Sequence, residues 1–241
     1  MKKRTLSFSA LVVAVTAAVS GAAFALQTRS TEVGGPPSMP PPSSFSARVD
    51  NPWFPLLRGT RWVYTGVKDG KPTRDVVTVT QQTKTIEGVP CVAVRDRLYM
   101  EGRLEERTTD WYSQDSRDNV WYFGENTAEL DARGHVTSTE GTWQAGVSGA
   151  KAGIYIPGHP RLGQNGLQEF LKGHAEDHFK IIGVLGTVAP PGKANTLLTK
   201  EWTPLEPGVI DHKMYVRGIG TVLEQSQLGP NERNELISIR R

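Results

Sequence analysis

The chain has 241 residues, with 28 Lys and Arg against 25 Asp and Glu, 37% hydrophobic residues and one cysteine. Lys2, Lys3 and Arg4 account for the whole positive excess, so residues 26–241 are neutral overall with histidine uncharged. That balance argues against nucleic acid and other partners held by bulk electrostatics, and the lone Cys91 excludes an internal disulfide.

Residues 1–25 read as a secretory leader. A basic start is followed by an apolar run from Leu11 to Ala22, then by Ala23-Phe24-Ala25, the small-x-small pattern cut by signal peptidase. Cleavage there leaves no membrane span and places the product in the periplasm or outside the cell. No cysteine follows the leader to carry a lipid. Residues 26–47, with Gly34-Gly35-Pro36-Pro37 and Pro40-Pro41-Pro42, read as a disordered linker. A single domain is expected over 48–241, long enough to bury one core.

Within that domain, short β-branched and aromatic runs alternate with Gly- and Pro-bearing turns. Arg61–Thr65, Asp75–Thr80, Val92–Met100, Arg103–Ser113 and Val120–Phe123 come first. Leu197–Trp202, Val209–Val216, Thr221–Gln227 and Glu235–Arg240 follow. This pattern predicts a mainly β fold: an antiparallel meander curved into a half-barrel or barrel, with little helix outside the leader. Residues 167–182 fit both helical spacing and alternation, with strand favoured.

The Glu101-Gly102 turn fixes a register, because side chains alternate between faces. With Met100 opposite Arg103, Asp96 falls opposite Arg107 and Arg97 opposite Glu106. Both read as salt bridges across the sheet. Pairing Asp115 with Val120 likewise sets Tyr112 against Phe123.

Candidate chemistry is sparse. His174 and His178 could hold a metal with His212 as a third ligand, although the order is not that of a zinc protease. His212 shares a face with Ile210, Met214 and Val216, which reads as the buried side of its strand, with Glu176 or Asp177 as a carboxylate partner. Nothing signals a nucleophile elbow, a phosphate loop or a cofactor. The aromatic residues Trp111, Trp121, Phe123 and Trp202 are the better lead, as the wall of a cleft for an apolar ligand.

Three stretches carry a resemblance: Asn51-Pro52-Trp53-Phe54-Pro55-Leu56 before Gly59-Thr60-Arg61-Trp62; Asp110-Trp111-Tyr112-Ser113-Gln114-Asp115 before Val120-Trp121-Tyr122-Phe123; and Glu201-Trp202-Thr203-Pro204-Leu205-Glu206-Pro207-Gly208 before His212-Lys213. Together they resemble a group of exported bacterial proteins of unknown function. Ala175-Glu176-Asp177 and His212 match that group's pattern, whereas His174 and His178 need not, which moves attention to Glu176, Asp177 and His212. More loosely, the meander is similar to the half-barrels of periplasmic lipoprotein carriers, an analogy of fold alone. The leading expectation is a non-enzymatic exported domain that binds an apolar or amphipathic ligand or an envelope partner. The alternative is a metal-dependent or acid/base hydrolase using His212 with Glu176, Asp177 and Asp110.

Overall fold

The computed structural model describes residues 35–185 and 195–241. The leader and the start of the expected linker lie outside the described residues. The first strand, β1 (Phe45–Ser46), follows a single 3-10 turn at Pro42–Ser44 and pairs with β5 (Arg103–Asp115), so the sheet starts just ahead of residue 48. Between them run β2 (Arg61–Lys68), β3 (Lys71–Ile86) and β4 (Val89–Met100). Next come β6 (Val120–Leu130), the short β7 (Val136–Ser138) and β8 (Trp143–Gln144), and β9 (Lys151–Ile156). The remainder is β10 (Asn165–Leu167), β11 (Glu169–Phe170), β12 (His178–Leu185), β13 (Thr196–Trp202), β14 (Ile210–Val216), β15 (Gly220–Leu228) and β16 (Glu232–Arg240). Among the described residues no helix is long and apolar enough to cross a membrane.

All pairings are antiparallel, and the sheet path runs from β10 through β12–β16, then β2–β6, to β9 and β11. Its two ends, β10 and β11, are neighbours in sequence. One segment therefore pairs with both ends of the sheet, and the barrel is nearly closed. Gly153 permits the seam: a Cβ there would lie 2.5 Å from the backbone of Leu167 and Gln168. The ambiguous stretch 167–182 resolves into strand, turn and strand around this seam.

Acidic-Gly pairs make three hairpins. Asp69-Gly70, Glu87-Gly88 and Glu101-Gly102 each have positive φ at both residues, the geometry that matches the twist of the flanking strands. Met100 does face Arg103, but the ladder slips by one between Leu98 and Tyr99. Leu104 and Glu105 together oppose Tyr99, a β-bulge that corrects the expected pairing beyond it. Asp96 faces Thr108 on the inside and Arg97 faces Arg107 on the outside, so neither expected salt bridge forms. The next hairpin also differs by one residue: Tyr112 pairs with Tyr122 and Gln114 with Val120. Here the Asp115 carboxylate accepts from the backbone of Arg117 and Asn119 and from the Trp121 indole at 2.8–3.0 Å, holding a wider turn.

One barrel mouth is plugged by the Asn51–Leu56 segment. Asn51 is pinned by the Gln114 amide oxygen at 2.8 Å, and its own amide donates to the Asp118 carbonyl. Phe54 then enters the barrel against Tyr112 and Tyr155, with ring centres 5.4 and 4.6 Å away. This plug, the inward faces of β2–β6 and Phe179, Ile181, Leu197 and Tyr215 form the core. Cys91 is buried with a free thiol whose pKa burial pushes up to about 12, an inert state.

Candidate functional site

Along β14 the inward face is Asp211, Lys213 and Tyr215, and the outward face is His212, Met214 and Val216. This reverses the expected phase. Lys213 and Tyr215 are buried, and His212 and Met214 are half-exposed. The reason is ionic. The Lys213 ammonium lies 2.9 Å from Glu201 on β13 and 3.5 Å from Glu224 on β15. Glu201 also accepts from the Thr199 and Tyr215 hydroxyls at 2.8 and 3.3 Å. The two carboxylates hold the Lys213 pKa well above its ordinary value despite burial. One ammonium cannot neutralise both: burial pushes Glu224 up to about 8, and it carries the proton that balances the trio near neutral pH.

Across the barrel, β3–β5 turn Asp75, Asp96, Glu106 and Asp110 inward, all buried. Asp75 and Asp96 lie close enough on neighbouring strands for their carboxyls to influence each other's titration. Burial raises Asp75 to about 6 and, with the Asp96 charge, raises Asp110 to about 8. Asp110 accepts from the Tyr122 hydroxyl at 2.8 Å. Farther along, Lys68 lies 3.9 Å from Glu232, whose pKa burial raises to about 7.

The interior is filled rather than hollow. Among the described residues, two cavities against the core have about 20 Å³ each, room for about one water, while a broader depression of about 440 Å³ lies outside it between Ser43, Arg48, Gln114 and Ser116. The first is lined by Phe54, Trp62, Tyr64, Asp110 and Thr221. The second lies between Asp177, Trp202, Asp211, Lys213 and Glu224.

The candidate residues from the sequence fall in separate places. Asp177 is buried against Glu169, whereas Glu176 sits in a turn where its carboxylate accepts from the Gly173 amide. Asp110 belongs to the β3–β5 group, and His212 faces outward opposite Lys200. The four do not converge. Of the three histidines considered for a metal, the exposed His174 meets the Thr142 carbonyl, His178 stacks on Trp202 and His212 stands two strands away. Among the described residues no group of three or more His, Cys, Asp or Glu is placed to hold a metal ion.

The four aromatic candidates also part company. Trp121 and Phe123 are sealed beneath Phe45, each 5.7 Å away edge to face. Trp111 is capped on the outer face by the Lys84 ammonium at 3.5 Å. Trp202 is half-buried on the outer wall, stacked on His178 at 5.3 Å with the Lys200 ammonium at the same distance. Around it the outer wall is ordered in rows. Lys180, Lys200, His212 and Gln225 align across β12–β15. Leu198, Met214 and Leu223 form the adjoining row, half-exposed. Within β12–β15 neither row holds a carboxylate; on β16 the apolar row continues to Glu235, which pairs with Arg233 at 2.8 Å. Lys213, the residue that organises the interior, escaped the sequence reading; its signal was the alternation Asp211, Lys213, Tyr215, which the polar letters assigned to solvent.

No protein-family model matches the chain, and no curated protein matches it. Two solved structures are similar to it. One, from Bacteroides fragilis, is described as an exported protein with a YmcC-like fold; it is 13% identical, with a TM-score of 0.43, over 78% of this chain and 99% of that one. The other, from Parabacteroides distasonis, is described as a lipoprotein; it is 11% identical, with a TM-score of 0.39, over 78% of this chain and 98% of that one.

Proposed function

We propose that the chain is an exported, non-enzymatic binding barrel that takes an amphipathic ligand on the outer wall of β12–β15. The observation that carries this reading is Trp202. It is the one aromatic candidate left half-open without a covering segment or a capping lysine at contact distance, and it borders a cationic row beside an apolar one. Indole rings and long lysine stems suit a boundary between apolar and charged groups. The leader supplies the route of export, and protein recovered outside the cytoplasm should begin at Leu26.

Titration with lysophosphatidylglycerol below its micelle concentration, followed by tryptophan fluorescence, tests the site. Saturable binding that weakens about tenfold in Trp202→Ala, or 1.4 kcal/mol, supports the reading. Equal binding by Trp202→Ala and the parent chain contradicts it.

A further inference from the structure

We propose that the opposite outer wall, on β2–β5 and the end of β16, binds a linear phosphate-bearing polyanion. The ladder sets Arg240 opposite Arg61, Arg61 opposite Thr78, Thr78 opposite Arg95, and Arg95 opposite Thr109. One step along the same face, Arg97 stands directly opposite Arg107. Arg74 lies one row beyond, its guanidinium 5.9 Å from the Tyr99 ring centre.

Two features set this wall apart from an ordinary solvated surface. Like charges placed directly opposite on neighbouring strands destabilise a sheet, and here it happens twice, at Arg240 with Arg61 and at Arg97 with Arg107. Among the described residues none of the six arginines has an ion pair with a carboxylate. Four acids of β3–β5, Asp75, Asp96, Glu106 and Asp110, are turned inward, and Glu105 at the bulge pairs with Arg103 at 2.9 Å rather than with any of the six. The bulge at Leu104–Glu105 produces this separation, since a regular ladder would have set Asp96 against Arg107. The neutral balance of residues 26–241 thus conceals a one-sided distribution. The proton held by Asp110 near neutral pH further weakens the inner negative charge that would otherwise oppose an anion outside.

The occupant follows from the chemistry. All six cations are arginines, whose planar forks pair two-to-two with phosphate oxygens. Strands about 4.8 Å apart put Arg61 and Arg95 roughly 10 Å from each other, a span for successive groups of a chain rather than for one ion. Within the Arg240-to-Thr109 row the side chains between the arginines, Thr78 and Thr109, are small and polar, with Val63 and Val76 in the next row of the same face. That row suits a hydrated polymer, and the indole on this face, Trp111, is covered by the Lys84 ammonium at 3.5 Å, unlike Trp202.

Titration of the full chain with long-chain inorganic polyphosphate at several salt concentrations tests this. Binding should weaken as salt rises, with a log–log slope that loses roughly one unit per arginine engaged and removed. Arg95→Gln with Arg107→Gln should lower affinity at least tenfold and flatten the slope by about two. Arg107→Lys should fall between, and Arg161→Gln, on an exposed loop, should match the parent. Melting temperature confirms folding, and the double variant should melt no lower than the parent because a like-charge pair is relieved. Unchanged affinity in the folded double variant overturns the proposal. So does binding to phosphatidylglycerol vesicles without binding to polyphosphate, which would make the partner a lipid surface. Trp202→Ala leaves polyphosphate binding unchanged, which separates this wall from the other.

Discussion

On β13–β15 the buried carboxylates gather around an ammonium, Glu201 and Glu224 lying 2.9 and 3.5 Å from Lys213. On β3–β5 the carboxyls of Asp75, Asp96 and Asp110 meet one another and the Tyr122 hydroxyl instead. The cation acting on Asp110 is Arg97, whose guanidinium bonds the Asp96 and Thr108 carbonyls at the sheet's outer side. Both walls meet the same difficulty, since an ionised carboxylate in a low-dielectric interior is costly. One solves it mainly with a lysine and the other with protons. A lysine-paired cluster should therefore depend on its partner, and a proton-paired cluster should depend on pH.

Removing the lysine is the harshest way to break that comparison. Lys213→Met leaves Glu201 and Glu224 buried without a cation and should cost about 3–5 kcal/mol in urea unfolding. Adding Glu201→Gln and Glu224→Gln to the same chain should recover most of the loss, because neutral groups no longer need the ammonium.

The proton-paired wall should show in the pH dependence of stability. Folding raises Asp75 to about 6 and Asp110 to about 8, and it also raises Glu224 and Glu232 to about 8 and 7. The folded chain then binds more protons than the unfolded one above about pH 4, so stability falls as pH rises. It is fully present below the unfolded carboxyl values and is lost through pH 6–8. Thermal melts between pH 5 and pH 9 should show a melting temperature that falls steadily, each of these carboxyls costing about 1.4 kcal/mol per pH unit until its folded value is reached. A melting temperature that rises over that range contradicts the assignment. Asp110→Asn isolates one contributor: nearly silent at pH 5, it should stabilise by about 4 kcal/mol at pH 9 in the same melts, where the parent has lost its proton.

The gentlest perturbation concerns the bulge. Deleting Glu105 leaves Leu104 opposite Tyr99 and Glu106 opposite Leu98, a regular ladder with every inward residue kept. The deletion should shift stability by about 1 kcal/mol or less, against larger losses for deletion of Thr108 inside the ladder.

The hairpins and the barrel class were legible because they are local: β-branched runs, Glu101-Gly102 and Asp69-Gly70 declare themselves within a few residues. The bulge was not, since what fixes it lies across strands, in the joint fit of Asp96, Glu106 and Asp110 to one interior. The phase of β14 was hidden for a related reason. Alternation shows two faces but not which is inside, and the usual rule of apolar inward fails where a lysine finds two carboxylates. Asp177 and Trp202 were both singled out and both line the second cavity, whereas Glu176 and His212, beside Asp177 and Lys213 in sequence, take other directions because neighbouring residues in extended chain point opposite ways.

The most direct test of proton-paired burial is a ¹³C NMR titration of the side-chain carboxyls in the folded chain. The Asp110 and Glu224 carboxyls should carry the shifts of protonated acids at pH 6 and titrate near pH 8, while Asp110→Asn removes one of those transitions. Ionised shifts for both residues at pH 6 would contradict the account.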